Sequence, residues 1–162
     1  MIVQPVDLGD RAALLSVAVS TGLFSEADAE ALLGGVLDQL ATGGLGDGHS
    51  ALASRLSIGG AVAGWTYFAP DQYAEGVWNV WWLGVIPEAH GSGVGRALLQ
   101  AAENAALASG ARIVVVETSS KDSQARARRF YAKEGYSECG TVPDFYGDGD
   151  HKVIFSRKPR KA

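Results

Sequence analysis

Apolar residues recur at helical spacing early in the chain. Over residues 10 to about 19, Leu14, Leu15 and Ala18 mark one face and predict a first helix. Residues 1 to 8 before it predict a short strand. Ser25 suits the N-cap of a second helix, with Glu26 and Asp28 in its first turn, where carboxylates complement the helix dipole. That helix runs to about residue 40 and turns Leu32, Leu33, Val36, Leu37 and Leu40 inward. The glycine-rich ATGGLGDG then ends it as a loop.

Strand patterns follow. SALASRLSI and AVAGWTYFA predict two strands, Asp71 to Gly76 a turn, and VWNVWWLGVIP a long third strand closed by Pro87. On that strand Trp78 and Trp82 share one face and Trp81 takes the other. Val94, Ala97, Leu98, Ala101, Ala102, Ala105 and Ala108 then lie on one face of a helix that stops at Gly110, with Gln100, Glu103 and Asn104 opposite. RIVVVET has three valines without alternation, which predicts a strand buried on both faces. A helix over residues 123–134 ends at Gly135. Two last strands, about 136–142 and 152–157, are joined by the loop PDFYGDGDH. The order is mixed α/β, and 162 residues make one domain, 1–162.

Composition narrows the chemistry. Fourteen basic residues against 18 acidic ones give a net charge of −4, so no field favours nucleic acid or an anionic membrane. Cys139 is the single cysteine, and His49, His90 and His151 have no metal-ligand spacing, so no metal is expected. The first residues lack a basic region followed by an apolar run, and no stretch approaches a membrane span. A cytoplasmic location is expected.

HGSGVGRALL, between the long strand and the helix, is the candidate binding loop. A P-loop is excluded, because Gly95-Arg96-Ala97 stands where Gly-Lys-Ser/Thr is needed. A dinucleotide fingerprint is excluded too: counting from Gly91 or Gly93 puts Arg96 or Leu98 at the third small-residue position. Two readings remain. Glycines before a helix let its free N–H groups approach a phosphate. A tight turn that merely needs positive φ would use the same residues.

WLGVIPEAHGSGVGRALL resembles the cofactor segment of the GNAT superfamily of N-acetyltransferases, whose motif is Gln/Arg-x-x-Gly-x-Gly/Ala at a helix start. Gly93 and Gly95 stand at its glycines, and His90 stands where Gln or Arg is usual. IVVVETSS resembles the family's next strand, and ARARRFYAKEGY resembles its recurrent A-x-x-x-F/L-Tyr-x-x-x-Gly-Phe/Tyr segment. The likeness covers roughly residues 58 to 157. It implies a single-domain acyl-CoA N-acyltransferase fold, a mixed twisted sheet with helices on both faces. The implied activity is direct acetyl transfer from acetyl-CoA, as co-substrate, to a primary amine of a small molecule or peptide.

The resemblance also nominates residues. Leu83, Gly84 and Val85 would pair with the pantetheine arm through their backbones. His90, Gly91, Ser92, Gly93, Val94, Gly95 and Arg96 would hold the pyrophosphate, and Gln124 would contact the pantetheine. Tyr131 would give a proton to the leaving sulfur, and a phenol is protonated at neutral pH; the same position suits a packing aromatic beside Phe130. Glu117 is the candidate base, or else a structural carboxylate paired with an arginine or capping the next loop. Glu75 is the second choice, and Asn79 stands near a position where other members carry a glutamate. The loop at residues 144–150 borders the acceptor region in the resemblance. A homodimer is open on the same ground. Two rivals remain: a non-catalytic CoA-binding module on the same fold, and a nucleotide-binding domain.

Overall fold

The computed structural model describes residues 1–159. The strands are β1 (Ile2–Pro5), β2 (Ser50–Arg55), β3 (Val62–Pro70), β4 (Val77–Val85), β5 (Ile113–Ser119), β6 (Ser137–Gly147) and β7 (Asp150–Arg157). They form one sheet in the order β1-β2-β3-β4-β5-β7-β6. Among the described residues only β4 and β5 pair in parallel, so the sheet is mixed. The main helices are α1 (Arg11–Ser20), α2 (Glu26–Ala29), α3 (Gly35–Thr42), α4 (Val94–Ala108) and α5 (Ala125–Lys133). Among the described residues, no helix is long and apolar enough to cross a membrane.

Helices cover both faces. α1 and the α2–α3 arm pack Leu14, Val17, Leu33 and Leu37 against Ala51, Ala53, Trp65 and Trp82. Trp65 is fully buried and its indole N–H donates to the Leu14 carbonyl at 2.8 Å, which ties α1 to the sheet. Truncating such a side chain to alanine costs about 3–5 kcal/mol. On the other face α4 packs Leu99, Ala102 and Ala106 against Val80, Val114 and Val116, and Tyr131 of α5 meets Phe155 of β7.

Five expectations change. The second helix contains a π-helical turn, Glu30–Gly34, which inserts a residue into the helical register; Leu32 therefore faces solvent while Leu33 and Leu37 stay inside. The buried stripe of α4 is Val94, Leu98, Leu99, Ala102, Glu103 and Ala106, whereas Ala105 and Ala108 are exposed. Glu103 is inside because Tyr136 Oη donates to it at 2.7 Å and Arg157 Nη2 pairs with it at 3.3 Å. β5 alternates instead of being buried on both sides: Val114, Val116 and Thr118 face the helices, and Val115 and Glu117 are half-buried on the opposite face. The terminal hairpin is longer than expected, with β6 running to Gly147.

The fifth change sits on β4. Tyr67 of β3 pairs with Trp82 but its neighbour Phe68 pairs with Val80, so Trp81 is the extra residue of a β-bulge. The bulge shifts the alternation by one. Trp78 and Trp82 consequently face opposite sides, Trp78 toward α4 and Trp82 toward α1.

Candidate active site

β4 and β5 pair from Val77 with Ile113 to Val80 with Val116, and there the ladder ends. Beyond it β4 keeps β3 on one side, through Thr66 to Leu83, Trp65 to Gly84 and Gly64 to Val85. Its other edge is left unpaired by β5. Side chains reinforce this geometry. Thr66 Oγ1 donates to the Trp82 carbonyl at 2.7 Å, and a Cβ on Gly84 would strike the Trp82 ring, so only glycine lets the indole lie across the strand.

A cleft of about 450 Å³ opens at this parting. Its wall contains Leu83, Gly84 and Val85 of β4, and His90, Gly91, Gly93, Val94, Gly95 and Arg96 of the following loop and helix start. Gln124, at the N-cap of α5, and Tyr131 complete the set that the sequence nominates. Segments more than forty residues apart thus meet in one place.

The loop and the first turn of α4 border the cleft. Gly93 precedes α4 with φ of 90°, a conformation open to glycine, and α4 is a 15-residue helix whose first-turn N–H groups have no intrahelical acceptor. A helix start of that kind attracts an anion. Two nominated side chains are already engaged. Ser92 Oγ donates to the Ala89 carbonyl at 2.6 Å and does not line the cleft. Arg96 Nε donates to both Glu134 carboxylate oxygens, at 3.0 and 3.2 Å. His90 gains a physical role: its Nε2–H donates to the Val85 carbonyl at 3.1 Å and ties the loop to the end of β4.

Tyr131 is 8% exposed and lines the cleft. Burial pushes its pKa from 10.0 to about 12, so the phenol keeps its proton at neutral pH. Phe130 at 5.2 Å and Tyr136 at 5.8 Å hold the ring edge-on.

The carboxylate candidates lie outside this cleft. Glu117 is the first residue of β5 beyond the ladder, but it does not line the cleft, and its Oε2 meets Lys152 Nζ at 2.9 Å. Glu75 lies in the turn before β4, roughly 25 Å from the glycine loop along that strand. Asn79 has structural work: its Nδ2 donates to Asp71 at 3.1 Å, and with the Tyr73 and Ala74 N–H groups it holds the Asp71 carboxyl below the usual range.

Several cleft residues carried no local signal in the sequence. Ser20, Thr21 and Leu23 come from the end of α1, and Lys133 and Glu134 from the end of α5. Glu134, beside the glycine of YAKEG, had the one legible clue. A wider, more open depression of about 1020 Å³ lies at the other end of β4. It is lined by Asp47, Glu75, Trp78 and Arg112 among others and holds none of the convergent chemistry.

A mixed sheet whose parallel central strands part over a glycine-led helix defines an acyl-CoA N-acyltransferase type of fold. The chain belongs to the acetyltransferase (GNAT) family, whose model matches residues 24–136. An uncharacterized N-acetyltransferase of Methanocaldococcus jannaschii is 33% identical over 81 residues, 49% of this chain and about half of that protein's length, 51%. A solved GNAT-family protein from Desulfovibrio desulfuricans superposes with a TM-score of 0.89 at 28% identity, covering 98% of this chain and 99% of its own. The YncA structure from Salmonella typhimurium, solved with its cofactor acetyl-CoA, shares the fold with a TM-score of 0.76 at 19% identity, over 100% and 95% of the two chains.

Proposed function

We propose that the chain is one N-acetyltransferase domain, 1–162 with a cofactor-binding core at about 58–157, that moves an acetyl group from acetyl-CoA to a primary amine. One observation carries this reading: a buried, protonated phenol faces the same cleft as an unpaired strand edge and an open helix start. The YncA neighbour, which binds acetyl-CoA, supports the choice of ligand.

The residues fit that ligand part by part. The free edge at Leu83, Gly84 and Val85 suits an amide-bearing arm that adds like a strand. The N–H groups around Gly91, Gly93, Val94, Gly95 and Arg96 suit a pyrophosphate. Arg126 and Lys133 add positive charge to the rim, and Gln124 offers an amide beside the arm. Bound there, acetyl-CoA supplies the thioester carbonyl and a thiolate leaving group. Tyr131 gives its proton to the departing sulfur as the C–S bond breaks and the N–C bond forms. The ammonium of the acceptor loses one proton beforehand, and the second, lost from nitrogen on acylation, returns to the Tyr131 phenolate and restores the phenol. Glu117, at the parting of the strands, receives the first through water. No chain nucleophile is needed.

Tyr131→Phe tests the assignment. Thiol release should fall about 10²-fold or more, the range for loss of a proton donor, with the Kd for acetyl-CoA unchanged. Equal rates in both proteins would remove Tyr131 from the chemistry. A non-catalytic CoA-binding module is the second reading. It is favoured by the pairing of Glu117 with Lys152 and by the absence of Glu117 from the cleft wall.

A further inference from the structure

Three large aromatic side chains stay half in water near the parting of the sheet. Trp81 is 50% exposed, whereas Trp78 and Trp82 are each 7% exposed. Trp81 is the bulged residue and the first of β4 beyond the last pair with β5. Phe145 and Tyr146 are 53% and 48% exposed and meet edge to face at 5.0 Å. They sit where β6 bulges between Val142 and Gly147. An exposed aromatic pair of this kind marks a contact surface more than a core.

An ammonium group already sits against the Phe145 ring. Lys152 Nζ lies 2.9 Å from Glu117 Oε2 and 3.6 Å from the Phe145 ring centroid. Tyr146 is close enough for the Glu117 and Asp150 carboxylates to push its phenol pKa up, in addition to burial. A carboxylate with an aromatic face is the usual chemistry for holding a protonated amine. β6 and the turn after it, residues 137–150, carry Glu138, Asp144, Asp148 and Asp150 and no basic residue.

Resting on the acetyltransferase reading above, we propose that Glu117, Phe145 and Tyr146, with Trp81 at the parting of the strands, form the acceptor subsite. It takes a protonated primary amine on an aromatic or apolar frame, and Lys152 holds the ammonium position until the acceptor displaces it. An arylalkylamine matches every element: its ammonium replaces Lys152 at Glu117 and its ring covers exposed aromatic surface. A polyhydroxylated amine would set its hydroxyls against those rings without partners.

The test uses the full chain with two probes, phenethylamine and glucosamine. Transfer from acetyl-CoA is followed by thiol release, and amine binding to the CoA-bound protein by ligand line broadening in NMR. The KM for phenethylamine should be at least about tenfold below that for glucosamine. Trp81→Ala should raise the phenethylamine KM about fivefold or more and leave the acetyl-CoA KM unchanged, and Trp81→Phe should restore most of the loss. Lys152→Met should lower the phenethylamine KM about threefold, because the competing ammonium is gone. Equal KM values for the two amines, or an unchanged KM in both Trp81→Ala and Lys152→Met, would overturn the acceptor assignment while leaving the transferase reading intact. Line broadening that depends on Trp81, without thiol release from either amine, would sustain the amine site and overturn the transferase reading.

Discussion

His90 is the residue that departs most visibly from its family's pattern, and its geometry explains why the departure is tolerated. The imidazole donates to the Val85 carbonyl and so braces the loop; the anion is left to backbone N–H groups. Glutamine can donate the same bond. His90→Gln should therefore change the Kd for acetyl-CoA by no more than about threefold, the scale of one net hydrogen bond. Calorimetric titration of the two proteins checks this, and a large loss would assign the imidazole direct contact with the ligand. Glu103 is the opposite case. It is 6% exposed and binds both Tyr136 and Arg157, and Arg157 Nη1 also donates to the Glu134 carbonyl at the end of α5. Glu103→Ala should cost about 3–5 kcal/mol in urea unfolding, because Arg157 would keep a buried charge without its partner. A cost below about 1 kcal/mol would show that water already reaches the pair.

Among the elements, β4 decides the site. Its bulge turns Trp82 toward α1, leaves Trp81 exposed and coincides with the end of pairing to β5. Gly84 is the second requirement, since the Trp82 ring lies against it. Gly84→Ala should destabilise the protein by about 1–3 kcal/mol through overpacking, measured by thermal or urea unfolding. A neutral result would mean that the indole moves aside freely. The glycine loop, the helix after it and the YAKEG segment were legible because each has local chemistry: positive φ, helical spacing and a fixed motif. The bulge was not, because alternation along WNVWW is the same with or without it, and only pairing with β3 shifts the register. Glu103 was placed outside because a carboxylate on a helix reads as polar; its partners come from Tyr136 and Arg157, more than thirty residues away. Glu117 stands at the parting of the strands, and the lysine that holds it comes from β7.

For the whole molecule, buried tyrosines set the alkaline limit of stability. Burial raises Tyr131 to about 12, and burial with donation to Glu103 raises Tyr136 further. Raised values favour the neutral phenols in the folded state, and unfolded tyrosines ionise near 10. Their contribution is thus complete below about pH 10 and is lost as pH rises through the folded values. Melting temperature should fall steeply between about pH 10 and pH 12, and Tyr136→Phe should flatten that fall. An identical slope in the variant would place the alkaline loss elsewhere.

The most direct measurement of the central claim joins the cleft to its chemistry. The protein is incubated with acetyl-CoA and a broad panel of primary amines, with thiol release and product mass followed together. The account predicts free thiol in step with an acetylated amine, at a rate that drops in Tyr131→Phe while acetyl-CoA still binds. Acetyl-CoA binding with no thiol released by any amine would contradict it.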